Sequence, residues 1–166
     1  MPKILLTLLL FIHVIAFSQT QLSPVSWQAS YEDLPNDEGM ITFTAKIDPH
    51  WHIYSQRPTD AGPIPTSFTI TPGAGFELVG KVEEKDAHEE YVAAFEAKVF
   101  VFEKEAVFKQ RIKRVGAGKA KTEGAYKYRF PINAQVEYMT CNDKQCLPPK
   151  TIDLMVTVPG KILGIK

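Results

Sequence analysis

The chain has 166 residues, in which 19 Lys and Arg are matched by 19 Asp and Glu and the isoelectric point is near 6.9. That balance excludes an electrostatic case for nucleic acid or an anionic membrane surface, since both call for a basic excess. The length suits one domain with a sizeable core, and the chain carries only two cysteines.

The first residues point to export. Lys3 supplies a positive start, Ile4 to Phe17 is an almost unbroken apolar run, and Ala16-Phe17-Ser18 has the small-x-small form of a cleavage site. We expect a signal peptide over residues 1–18 and one exported domain over residues 19–166. The apolar run falls short of the about 20 residues of a spanning helix, and no later stretch approaches that length, so no membrane insertion is expected after cleavage. No cysteine follows the run, so no lipoprotein anchor is expected. An exported protein can form and keep a disulfide.

Strand signals recur along the rest. Val25 to Tyr31 alternates apolar and polar residues, and Asp33 to Gly39 is rich in turn residues. Met40 to Ile47 sets Ile41, Phe43, Ala45 and Ile47 on one face, the pattern of a half-buried strand. Trp51 to Tyr54 reads as a short strand ended by the proline-bearing loop Pro58 to Pro65. Ser67–Thr71 and Phe76–Val82 flank the turn Pro72-Gly73. Asp86 to Ala97 is polar and reads as a loop, with Tyr91 and Phe95 as large apolar residues inside it.

Lys98 to Glu103 reads as a strand covered on both faces, with Ala106 to Lys113 paired to it as a hairpin across Lys104-Glu105. A basic connection, Gly116 to Gly124, leads to strands over Tyr126–Phe130 and Ile132–Thr140. Thr151 to Val158 closes the set with Ile152, Leu154, Val156 and Val158 inward. The acidic stretch Glu83 to Glu90 and the basic stretch Lys109 to Lys121 read as solvated faces. Short strands at this spacing, with turns between them and no helical period, predict an all-β, immunoglobulin-like β-sandwich. A jelly roll or barrel is the alternative.

Cys141 and Cys146 lie in a polar loop between two strands, with Pro148-Pro149 just beyond. If the preceding strand runs unbroken to Cys141, that residue shares a face with Gln135 and Glu137 and leaves the sandwich on its solvent side. A bridge between the two thiols would close a very small ring. Loop-closure entropy makes it worth about 2 kcal/mol, against nearly 5 kcal/mol for a bridge across about 100 residues. Such a ring is a poor staple and a convenient place to present reactive sulfur. Lys144 favours a thiolate and Asp143 opposes it, so no strong thiol activation is expected. Spacing alone leaves two readings of equal weight: a dithiol for thiol-disulfide exchange, and a structural bridge in a non-catalytic binding or adaptor module.

The segment that runs from Tyr138-x-x-Cys141 through a short polar loop to Cys146-Leu-Pro-Pro-Lys-Thr151 resembles the N-terminal periplasmic domain of the DsbD thiol:disulfide interchange proteins. Trp51-His-Ile-Tyr-Ser55, His88-Glu-Glu-Tyr91 through Phe95, and Lys98 to Phe102 extend the resemblance over most of the mature chain. It implies an immunoglobulin-like domain that passes reducing equivalents to periplasmic disulfide partners. Cys146 would form mixed disulfides and Cys141 would resolve them. Phe95 would be the aromatic tip of a cap over the cysteines, with Tyr91 as second choice, and Tyr54 and His52 would line the site.

Four residues separate the cysteines, one fewer than in the best-known members, which implies a different ring geometry. The chain ends at Lys166 without the membrane section or the thioredoxin-like domain of full-length relatives. The resemblance then implies a thioredoxin-like or membrane electron-donor protein as partner, and disulfide-containing periplasmic proteins as acceptors. No cofactor is expected, because the dithiol is itself the redox centre. His50 and His52 would share a strand face, but zinc needs three or four convergent ligands, so no metal site is expected.

Overall fold

The computed structural model of the chain describes residues 22–59, 62–73, 75–115 and 129–159. The expected signal peptide, the connection Gly116 to Gly124 and the start of the Tyr126–Phe130 segment lie outside them. Eleven strands build the described part, all antiparallel. The first sheet holds β1 (Val25–Asp33), β2 (Glu38–Ile47), β8 (Glu105–Arg114) and β5 (Phe76–Glu84), in that spatial order. The second holds β11 (Lys150–Pro159), β9 (Arg129–Tyr138) and β4 (Ser67–Ile70). A third, smaller sheet holds β10 (Thr140–Cys141), β3 (His52–Tyr54), β7 (Ala97–Glu103) and β6 (His88–Val92).

The period-2 pattern of the sequence is what makes these strands half-buried. Ile41, Phe43, Ala45 and Ile47 of β2 are all buried, and Phe43 stands opposite Phe108 of β8. From the facing sheet, β9 contributes Phe130, Ile132, Ala134, Val136 and Tyr138 at every second position. Aromatic rings join the sheets: Trp27 of β1 lies 5.8 Å from Phe108 and 5.4 Å from Tyr138, and Phe68 of β4 lies 4.9 Å from Phe108. Ring pairs at these separations add directional contact to the buried area. The result is an all-β, immunoglobulin-like β-sandwich.

Polar residues mark where the chain departs from regular ladders. Gln110 is buried among the apolar positions of β8, and its amide donates to the carbonyls of Val79 and Arg111. It sits against a bulge in β5, where the register shifts between Val79 and Glu83 and Gly80 takes φ 72°. That left-handed value suits a residue without Cβ. Asn36 and Asp37, both at φ 62°, turn the β1–β2 hairpin, as their short polar side chains allow.

Three expectations are corrected. The segment after Asp86 is an edge strand, β6, followed by a 3-10 turn over Ala93–Phe95, because its backbone finds partners along β7. β7 and β8 do not form a hairpin. Lys104, at φ 62°, carries the chain from the third sheet into the first, and its carbonyl accepts from the amide of Ile47. The acidic stretch is not wholly solvated either. Glu84 turns inward and accepts from the Ser55 hydroxyl and, at 2.8 Å, from the Gln56 amide, with Arg57 3.7 Å away. This carboxylate pins the exit of β3. Arg57 then lies 4.1 Å over the ring of Phe100 in β7.

Candidate functional site

The third sheet places the cysteines. β9 ends at Tyr138 in the second sheet, and after Met139 the chain enters β10 in the third, where Thr140 stands opposite Ile53 and Cys141 opposite His52. This change of sheet resets the parity on which the outward placement of Cys141 depends. Both Thr140 and Cys141 are buried, Cys141 at 1% exposure, so its expected position on the solvent side is wrong. The physical reason is that both faces of this small sheet are covered where β3 and β10 lie. Ile53 and Phe102 face the main core, while Tyr54, Val99, Val101 and Cys141 form a second buried cluster on the other face.

Cys141 and Cys146 are joined by a disulfide with an S–S distance of 2.06 Å and a Cα–Cα distance of 4.0 Å. The loop between them is a miniature hairpin. The carboxamide oxygen of Asn142 accepts from the amides of Lys144 and Gln145, each at 2.9 Å, and the Asn142 amide donates to the carbonyl of Gln145. The Leu147 amide donates to the Thr140 carbonyl and closes the turn. Asn142 was missed by sequence reasoning, although an Asn that caps the amides following it is a readable turn signal.

The bridge is unequally shielded. Cys141 belongs to the buried cluster, whereas Cys146 is only partly buried and packs against it from the rim. Phe95 packs on the same cluster, and its ring meets Tyr54 edge-on at 6.2 Å. It gets there because the 3-10 turn at the tip of the β6–β7 hairpin folds back, with Glu96 in the left-handed conformation at φ 53°. The structure does not bring Tyr91 to this cluster. It pairs with Lys98 across β6–β7, on the opposite face from the rows that hold Val99 and Val101, and it is 61% exposed.

His52 and Tyr54 lie side by side on the disulfide face, with Nε2 3.0 Å from the Tyr54 hydroxyl. Burial holds the His52 imidazole below the usual histidine value, against the opposing pull of Glu90, Glu103 and Asp143, while His88 adds to the lowering. Burial, reinforced by Glu90, pushes the Tyr54 phenol well above its usual value, so it keeps its proton. Glu90 and Glu103 were also missed. They reach the site only through strand pairing, Glu90 opposite Val99 and Glu103 opposite His52. His50, expected on a strand face with His52, is exposed before β3 begins and takes φ 69°. Among the described residues no group of three His, Cys, Asp or Glu side chains is arranged to hold a metal.

This β-sandwich, with its local disulfide beside a cluster on which an aromatic turn packs, is by class a thiol:disulfide interchange domain with a disulfide-forming cysteine pair. The chain belongs to the family of the N-terminal domain of the thiol:disulfide interchange protein DsbD, whose model matches residues 19–157. Among solved structures, it is similar to the N-terminal periplasmic domain of ScsB from Proteus mirabilis, with a TM-score of 0.48 and 15% sequence identity. That similarity covers 81% of this chain and 45% of the other. No curated protein matches the sequence.

Proposed function

We propose that this protein is an exported, periplasmic thiol-disulfide exchange protein that passes reducing equivalents between redox partners through Cys141 and Cys146. The observation that carries the reading is the unequal exposure of one disulfide, with Cys146 at the rim and Cys141 buried in the cluster that Tyr54 and Phe95 share. A partner thiolate attacks the Cys146 sulfur, the S–S bond breaks, and its electron pair leaves on Cys141. A second partner thiolate then releases Cys146 and completes reduction of the pair. The reduced pair passes its two electrons to an acceptor disulfide by the reverse sequence.

Phe95 is the cap that a docking partner displaces, and Tyr54 and His52 line the site beneath it. The donor is a thioredoxin-like or membrane electron-transfer protein, and the acceptors are periplasmic proteins with reducible disulfides. Residues 1–18 supply the export signal. The competing adaptor reading gains little from a ring this small, for which loop closure contributes about 2 kcal/mol.

Trapping tests the proposal. In Cys141→Ala, the mixed disulfide on Cys146 has no internal thiol to resolve it, so adducts with a few exported proteins should accumulate. The wild-type disulfide should equilibrate with a thioredoxin-like reductant. A bridge that resists that reductant, together with a variant that captures nothing, would leave the structural reading standing.

A further inference from the structure

Three strands of the third sheet set one residue each in a single row. Cys141 of β10 stands opposite His52 of β3, and His52 stands opposite Glu103 of β7. Residues directly opposed in antiparallel strands share a face, with Cβ atoms about 4.5–5.5 Å apart. The row thus sets His52 beside the disulfide-bonded Cys141 on one side and the exposed carboxylate of Glu103 on the other. This is the order in which a nucleophile, its base and an orienting group are arranged in activated thiols and hydroxyls. Tyr54 engages Nε2 of His52 at 3.0 Å, which leaves Nδ1 as the ring nitrogen for proton exchange. His52 is buried, and the groups that bear on it are Glu103 of β7, Glu90 and His88 of β6, and Asp143 of the cysteine loop.

We propose that His52 is the acid–base residue of the disulfide, exchanging a proton with the Cys141 sulfur while Glu103 supports its charged form. The inference rests on the exchange reading above and adds a proton path to it. In opening, an incoming thiolate bonds to the Cys146 sulfur and the Cys141–Cys146 bond breaks. The electron pair passes to Cys141, which takes a proton from the His52 imidazolium and becomes a thiol, leaving His52 neutral. Closing runs in reverse. Neutral His52 removes the Cys141 proton, and the thiolate attacks Cys146 in the mixed disulfide. The partner leaves with the electron pair as a thiolate, and the imidazolium returns its proton to solvent. Burial favours neutral His52, so at neutral pH the base form needed for closing predominates, while acid loads the form that assists opening.

The test is the rate at which dithiothreitol opens the disulfide of the full chain, divided by the concentration of dithiothreitol thiolate at each pH. For the wild type this normalised rate should rise by roughly tenfold or more from about pH 8 to about pH 5, a modest share of what general acids supply. Its midpoint should coincide with the titration of His52 followed by imidazole NMR. His52→Gln should abolish the rise, and Glu103→Gln should move the midpoint to lower pH, since its carboxylate favours the imidazolium. His88→Gln should retain the rise.

A flat wild-type profile, a midpoint unrelated to the NMR titration, or a rise that survives His52→Gln would overturn the proposal. If His52→Gln fails to fold, the wild-type midpoint and the Glu103→Gln shift decide it. A disulfide that dithiothreitol cannot open at any pH defeats the exchange reading itself. An intact pH step without protein adducts in Cys141→Ala defeats only the relay.

Discussion

Phe95 and Tyr54 meet edge-on, ring centroids 6.2 Å apart, in the same apolar cluster that buries Cys141 of the Cys141–Cys146 bridge. One ring comes from a turn at a hairpin tip and the other from a strand bound on both sides, so the contact joins a tip to a paired strand. An edge-to-face pair contributes about 0.5–1.5 kcal/mol beyond buried area. For the cap proposed above, loss of about 1 kcal/mol raises the open population roughly fivefold. Phe95→Ala should therefore speed reduction of the disulfide by a bulky thiol by roughly that factor or more. Tyr91→Ala, altered on the opposite face, should leave the rate unchanged. Stopped-flow reduction of the two variants checks this.

The depressed imidazole of His52 makes stability depend on pH. In the unfolded chain a histidine takes up its proton near its ordinary value, whereas the folded His52 does so only at lower pH. Between those two values the unfolded state binds more protons, so stability rises with pH through that window and levels off above it. As pH falls, the contribution is lost between the unfolded and the folded value and is constant below. Denaturant unfolding of the oxidised protein at a series of pH values should show this slope, and His52→Phe should reduce it.

Glu84 holds the start of the loop after β3 through Ser55 and the Gln56 amide. Glu84→Ala leaves those donors without their acceptor, at a cost of about 1–3 kcal/mol. The Gln56 amide should lose hydrogen-exchange protection by a comparable free energy. Equal protection in variant and wild type would count against the anchoring role.

Phe108 is fully buried between the sheets, in contact range of Trp27, Phe68 and Phe102. Phe108→Ala should cost about 3–5 kcal/mol in urea unfolding, because the cavity cannot close between two sheets. Met155→Ala, at a side chain 65% exposed, should change stability by less than about 0.5 kcal/mol.

Asn142 organises the ring through two amides. Asn142→Ala should lower the stability of the oxidised form more than that of the reduced form, since the turn it caps is held shut by the bridge. The measured reduction potential should then rise, by about 30 mV for every 1.4 kcal/mol lost selectively from the disulfide state.

The strand pattern was legible wherever one face of a strand meets water. In β2, β8, β9 and β11 the alternation of side chains reports burial directly, and Ile41, Phe43 and Val136 are where periodicity puts them. Periodicity failed where both faces are covered or the chain changes sheet. Thr140 and Cys141 are buried in succession, and β6 looked polar because it is an edge strand. Of the site, the cysteines were visible as residues and Phe95 as a large ring in a polar stretch. By composition Tyr91 looked the same, and only the family resemblance ranked it second, because composition does not record which face of a strand a ring occupies.

By itself the sequence determined the all-β class, the pairing of chemistry into two cysteines a few residues apart, and the family. Each of these depends on residue type and local spacing, which the linear order records. Only the tertiary structure decided which sulfur is shielded, which of the two aromatics packs on the cluster around it, and that His52 stands opposite both Cys141 and Glu103. Those relations depend on register between strands far apart in the chain, where a shift of one residue exchanges the two faces of a strand.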